Sequence, residues 1–139
     1  MSIPPTLRRL IAERDQNRCA YCLTTEENSG QRMHVDHIIP DVADGPTVAE
    51  NLCLACFTCN SHKGEQQSGF DPLTGATVQF FHPLRQSWDE HFAWDESKTQ
   101  IIGLTPCGRA TVIALQMNNS LVGRARRRWV DAGWHPPHD

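Results

Sequence analysis

The fold of this chain is decided by Cys19-Ala20-Tyr21-Cys22, by Val35-Asp36-His37-Ile38-Ile39-Pro40, and by the run Asn51-Leu52-Cys53-Leu54-Ala55-Cys56-Phe57-Thr58-Cys59-Asn60-Ser61-His62-Lys63-Gly64. Two Cys-x-x-Cys motifs bracket a segment that holds an acid, a histidine and two amides. Four thiolates at this spacing can close a tetrahedral zinc site. We therefore predict a closed, structural Zn²⁺ site, whose ligands are Cys19, Cys22, Cys56 and Cys59.

The composition favours metal binding over disulfide formation. The sequence shows neither a secretory signal nor an apolar run long enough to span a membrane, so we expect an intracellular, cytoplasmic protein. In a reducing compartment, paired cysteines favour a metal site. Of the six cysteines, Cys53 and Cys107 lie outside the pattern, and we interpret both as small buried hydrophobic residues.

The net charge limits how the chain could bind nucleic acid. The 139 residues suit one domain, or one small domain with an extension, and carry a formal net charge of −3. A nucleic-acid binder of this charge must concentrate its basic residues on one face. The best candidate is Arg124, Arg127 and Arg128, which share a helix face at i, i+3 and i+4. A solvated face is the alternative interpretation of these arginines.

The chain divides into two segments of different composition, and we predict an α+β protein with segments 1–68 and 69–139. The first holds a helix over 5–17, a strand near 33–38 and a short helix that ends at Lys63 because Gly64 stops it. A linker over 66–69 spans the boundary, and the second segment holds an antiparallel β-meander and two helices capped by Thr105 and within Asn118-Asn119-Ser120. The predicted meander strands are 77–81, 90–95 and 100–104. The predicted inward positions of the two helices are Ala110, Ile113, Ala114 and Met117, then Leu121, Val122, Ala125 and Trp129.

The polar residues between the cysteine pairs suit phosphodiester hydrolysis, which needs a general base and a cation. His37 suits the base, since the histidine pKa of roughly 6.5 lies near working pH. Asp36 and Asn60 offer oxygen atoms to a hard cation such as Mg²⁺. In a strand, Asp36 and His37 point to opposite sides. Asn51 can bond backbone groups and hold the loop that carries the site.

These motifs together resemble the HNH endonuclease family, whose fold is the ββα-metal finger, over residues 18–64. The resemblance implies His37 as the general base, Asp36 and Asn60 as ligands of a catalytic Mg²⁺ or Mn²⁺ ion, and Asn51 as a structural amide. Many members have histidine where Asn60 stands, so the chain is similar to the HNN subtype, which includes the nuclease domain of RNA-guided CRISPR enzymes. The second segment resembles an extension found on bacterial stand-alone members.

The family usually cleaves DNA, which makes DNA the predicted partner, although the residues do not distinguish DNA from RNA. Lys63 is predicted to meet a phosphate, with simple solvation as the alternative. His34 and His62 lie near the predicted site, and either could touch substrate, although a surface imidazole is the preferred interpretation of both. The other histidines lack metal spacing, and we expect them to be structural or exposed: His82, His91, His135 and His138. Two other functions stay open, a non-catalytic zinc module that binds nucleic acid or protein and a toxin-type nuclease with a cognate inhibitor. The sequence does not define an oligomeric state.

Overall fold

The computed structural model describes residues 2–137, so the predicted exposed residue His138 lies outside the described residues. Within them, six α-helices alternate with three antiparallel strand pairs, β1–β2, β3–β4 and β5–β6. The helices are α1 (Pro5–Arg14), α2 (Glu26–Ser29), α3 (Phe57–Lys63), α4 (Trp88–His91), α5 (Pro106–Ala114) and α6 (Ser120–Asp131). The strands are β1 (His34–His37), β2 (Leu52–Ala55), β3 (Ser68–Phe70), β4 (Thr77–Gln79), β5 (Phe92–Trp94) and β6 (Ile101–Gly103). The predicted α+β class is confirmed.

The first segment has the predicted ββα order. Strands β1 and β2 pair with Asp36 opposite Cys53, and α3 starts where the Cys56 side chain accepts a hydrogen bond from the Cys59 amide. Helix α3 ends at Lys63, and Gly64 takes a φ of 53°, which favours glycine. Helix α1 ends at Arg14 rather than at residue 17, because the chain then turns through residues of positive φ at 16 and 17.

The predicted β-meander is wrong in its connections. The strands of the second segment form two separate pairs, β3–β4 and β5–β6. Of residues 66–69, predicted as a linker, Ser68 and Gly69 belong to β3. Gly69 lies against the Phe80 ring, where a Cβ would lie 2.7 Å from Cε1. Residues 90 and 91, predicted as strand, belong to α4. The alternation of residues 90–95 therefore covers a helix end as well as a strand.

The two C-terminal helices begin where predicted. The Thr105 side chain accepts a hydrogen bond from the Gly108 amide, and the Asn119 side chain accepts one from the Val122 amide. The predicted inward faces are wrong at two positions, since Ile113 is 54% exposed and Leu121 is 74% exposed. Packing of α5 on the strands buries Ala110 and Thr111, while α6 buries Arg126 and Trp129.

One buried ion pair fastens the β3–β4 hairpin to α5. The Arg109 Nε atom donates to Asp71 Oδ1 at 2.8 Å, and Nη2 donates to Oδ2 at 3.1 Å. Asp71 is completely buried. The hydrogen bonds from Arg109 hold the pKa of Asp71 well below its usual range. Asp71 is therefore charged in the folded protein at neutral pH.

Both segments contribute to one hydrophobic core, in which Tyr21 and Leu54 of the first join Phe81 and Phe92 of the second. The Trp88 indole donates to the Tyr21 carbonyl oxygen at 2.8 Å, which fastens α4 to the first Cys-x-x-Cys turn. The boundary near residue 68 stays a prediction. Within residues 2–137, every helix is too short or too polar to cross a membrane.

Candidate functional site

The four predicted cysteine ligands lie together. Their sulfur atoms all fall within 4.8 Å of one another, and the Sγ atoms of Cys22 and Cys56 are 3.7 Å apart. A tetrahedral ion with metal–sulfur distances of about 2.3 Å needs sulfur–sulfur edges of about 3.8 Å. The cluster therefore fits a metal ion, and its four-sulfur donor set is the one that structural zinc sites use.

Each Cys-x-x-Cys turn points backbone amides at its own sulfur. The Cys22 amide donates to Cys19 Sγ, and the Cys59 amide donates to Cys56 Sγ, both at 3.4 Å. Burial raises the pKa of the Cys19 thiol well above its usual range. Hydrogen bonds from the other three thiols hold the pKa of Cys22 well below that range.

The side chains of Asp36 and His37 are neighbours on β1 and differ in burial. Asp36 is buried and His37 is half-buried, as expected for side chains on opposite sides of a strand. The Asp36 carboxylate is only 5% exposed. The Tyr21 hydroxyl donates to Oδ2 at 2.7 Å, and Lys63 Nζ lies 3.2 Å from Oδ2 and 3.3 Å from Oδ1. Burial raises the pKa of Asp36, against the opposing charge of Lys63. Both carboxylate oxygens are thus engaged by other side chains.

Lys63 is itself buried, with 2% of its surface exposed, so its interpretation as a solvated residue is wrong. Its ammonium donates to the His37 carbonyl oxygen at 3.0 Å as well as to Asp36. Asn60 lies three residues earlier on α3, and residues at this spacing share one helix face. The Lys63 contacts hold α3 against β1, and a site that includes Asn60 stays a prediction. A phosphate contact by Lys63 stays a prediction, and it requires the ammonium to leave this position.

A loop clamped by Asn51 carries the partner of His37. Asn51 accepts a hydrogen bond from the Ile39 amide at 2.9 Å, and its Nδ2 donates to the carbonyl oxygens of Ile39 at 3.0 Å and Pro46 at 2.9 Å. This clamp leads the chain to Thr47, whose Oγ1 lies 3.0 Å from His37 Nε2. Asn51 thus has the contacts of the structural amide that the resemblance implies.

Comparison with known proteins agrees with this geometry. The family model for HNH endonuclease matches residues 19–66, the segment that holds the four cysteines, Asp36, His37 and Asn60. Residues 19–66 form an HNH domain. The chain is also similar to the Septu protein PtuB of Bacillus thuringiensis, at 29% identity over 76 residues, which cover 53% of this chain and 30% of that relative. The match thus spans less than a third of the relative's length.

Two residues of the HNH domain escaped the sequence analysis. Tyr21 is completely buried. Its position inside the first Cys-x-x-Cys turn could have identified it, because that turn lies close to the core. For Thr47, the one feature of the sequence that could have indicated a role is its position after the predicted turn at residues 44–46. Cys53 is fully buried, as predicted, with Sγ 4.0 Å from Asp36 Oδ2. Cys107 is only half-buried, which corrects its prediction as a core residue.

The predicted basic patch lies on α6, beside the cysteine cluster. Arg124, Arg127 and Arg128 are exposed, whereas Arg126 is completely buried. A cavity of about 430 Å³ separates α6 from the HNH domain, and Arg128 is among its lining residues together with Cys22 and Cys56. A contact between this patch and a nucleic-acid backbone stays a prediction.

Proposed function

We propose that the chain is a metal-dependent HNH endonuclease that hydrolyses DNA phosphodiester bonds in the cytoplasm. The observation that carries the proposal is the double contact of Lys63 with Asp36 and with the His37 carbonyl oxygen. This contact holds α3 against β1 and supports a site that combines the half-buried His37 of β1 with Asn60 of α3. In this proposal, the base His37 and the oxygen atoms of Asp36 and Asn60 act on one phosphate group.

His37 is the general base in this proposal. Its ring is half-buried, and Thr47 fixes it through the 3.0 Å contact at Nε2. With the Nε2 proton donated to the Thr47 hydroxyl, the Nδ1 lone pair accepts the proton of the attacking water. Proton transfer of this kind contributes about 100- to 10,000-fold to a rate.

Asp36 and Asn60 would hold the catalytic cation, and their oxygen donors fit Mg²⁺ or Mn²⁺. When bound, such a cation neutralises charge on the scissile phosphate and on the departing 3′ oxygen. Asp36 can offer an oxygen only if Lys63 gives up its 3.2 Å contact. The released ammonium is then free to meet a phosphate oxygen. The four-cysteine site would hold zinc and keep a structural role.

One observation favours the alternative, a non-catalytic metal-containing module that binds nucleic acid or protein. Asp36 is neutralised inside the protein by Lys63 and by the Tyr21 hydroxyl, as a purely structural acid would be. In that case Asp36 and Lys63 stabilise the fold, and the exposed arginines of α6 carry the binding.

Plasmid cleavage by the zinc-loaded protein separates the two functions. We expect cleavage with added Mg²⁺ or Mn²⁺, none without a second divalent ion, and loss of cleavage in Asn60→Ala with unchanged zinc content. His34→Ala is the matched control for the strand, because His34 is an exposed histidine of β1 with no proposed role in catalysis or cation binding. An intact, zinc-loaded protein that binds DNA but never cleaves it with either ion would establish the non-catalytic module.

A further inference from the structure

Arg126 of α6 is a buried cation without an acidic partner. It is completely buried, and its Nε is the one buried side-chain nitrogen or oxygen atom of residues 2–137 that lacks a hydrogen-bond partner. Arg126 belongs to none of the ion pairs that join Arg14 with Asp15, Lys63 with Asp36 and Arg109 with Asp71. A buried charge in this state is costly unless something compensates it.

Neutral groups fix the Arg126 guanidinium in place. Nη1 donates to the Thr99 carbonyl oxygen at 2.9 Å and to Asn118 Oδ1 at 3.2 Å, and Nη2 donates to the Met117 carbonyl oxygen at 2.7 Å. Its Cζ atom stands 5.2 Å from the centre of the Trp94 ring. These contacts orient the guanidinium but supply no negative charge.

The cysteine cluster lies on the other side of Arg126. The cavity between α6 and the HNH domain is lined by Arg126 together with Cys22, Cys56 and Cys59. Burial lowers the pKa of Arg126, and the three cysteines act in the opposite direction, with Cys22 adding a hydrogen-bonding interaction. The groups able to balance the guanidinium charge are therefore the thiolates.

A divalent ion leaves such a cluster negative. Four thiolates and one divalent cation carry a formal excess of about two negative charges. Cys19, Cys22 and Cys59 are all at most 3% exposed. We propose that Arg126 is the internal counter-ion of the four-thiolate metal site, a positioning residue through which α6 stabilises the bound metal. This inference does not depend on nuclease activity.

The proposal gives the C-terminal segment a role in metal retention. Thiols that keep their protons are neutral, so the metal-free cluster compensates the Arg126 charge less than the metal-loaded cluster does. Loading with a divalent ion turns the same neighbours into an anion. Metal binding in residues 19–59 and the packing of α6 should therefore stabilise each other.

The test is zinc affinity, measured by competition with a chromophoric chelator on the full chain. Arg126→Met keeps the length but removes the charge, and we expect the zinc Kd to rise about 10- to 100-fold, as for other groups that support metal ligands. Arg126→Gln, which keeps a donor without the charge, should show the same loss. Arg126→Lys should recover most of the affinity.

A second readout and a matched control separate charge from stability. With Co²⁺ as the probe, the sulfur-to-metal absorption band should need a higher pH to develop in Arg126→Met, because protons compete better with the metal. Arg109→Met also removes a cation from the extension and breaks its ion pair, but it does not line the cluster cavity. The proposal is overturned if Arg109→Met loses as much zinc affinity as Arg126→Met, or if Arg126→Lys binds zinc as weakly as Arg126→Met. It is also overturned if Arg126→Met and Arg126→Gln bind zinc as tightly as the wild type.

Discussion

Replacing Lys63 by methionine tests the buried contact that joins α3 to β1. The change keeps most of the side-chain volume and leaves Asp36 ionised, 5% exposed and without its cation. At the observed separation of 3.2 Å, an effective dielectric constant of about 20 gives a Coulomb energy of about 5 kcal/mol. Breaking one partner of a buried ion pair costs about 3–5 kcal/mol in general. We therefore expect the free energy of unfolding to fall by about 3–5 kcal/mol.

Urea denaturation of the zinc-loaded protein measures this loss. Asp36→Asn alone should also destabilise, because it strands the Lys63 ammonium, whereas the double variant Asp36→Asn/Lys63→Met should recover much of the loss. Burial already raises the pKa of Asp36, and removing Lys63 raises it further. The deficit of Lys63→Met should thus be full above that raised pKa and shrink as the pH falls through it. A loss under about 1 kcal/mol, or single-variant losses that simply add in the double variant, would refute the reasoning.

Three further predictions concern other parts of the fold. Asp71→Asn should lower the thermal unfolding midpoint near neutral pH. The stabilisation by ionised Asp71 is complete above the unfolded-state pKa of about 3.9, so the difference between variant and wild type should vanish as the pH falls through the depressed folded-state pKa. An equal difference at all pH values would contradict this prediction. Stripping the metal from the four-cysteine cluster, a site worth on the order of 10 kcal/mol, should abolish the far-ultraviolet circular dichroism of the HNH domain until zinc is restored. Asn51→Ala should lower the free energy of unfolding by roughly 3 kcal/mol in urea denaturation, because it leaves the Ile39 amide and two carbonyl groups unpaired. Plasmid cleavage should also fall, at unchanged zinc content. A variant as stable as the wild type would show that the Asn51 hydrogen bonds are dispensable.

The sequence predicted the HNH domain well because its determinants are local. The cysteine spacing set the metal cluster, and Gly64 marked the end of α3. Thr105 and Asn119 marked helix starts, because a cap needs only a side chain and the amide three residues on.

The misassigned parts depend on distant contacts. Strand β3 has only three residues, which is too short for alternation to identify it. Strand β3 pairs with β4, where Gly69 lies opposite Val78 and against the Phe80 ring, eleven residues away. Within the basic run of α6, only Arg126 turns inward, because Thr99 and Met117 accept its hydrogen bonds. The Lys63–Asp36 pair spans 27 residues and has no local signature.

The single-turnover rate of DNA cleavage by His37→Ala, with the DNA Kd measured in parallel, tests the central claim most directly. If His37 takes the proton from water beside Asp36 and Asn60, the rate should fall about 100- to 10,000-fold at unchanged Kd and zinc content, while His34→Ala cleaves like the wild type. A His37→Ala protein that cleaves within about threefold of the wild-type rate would contradict the account.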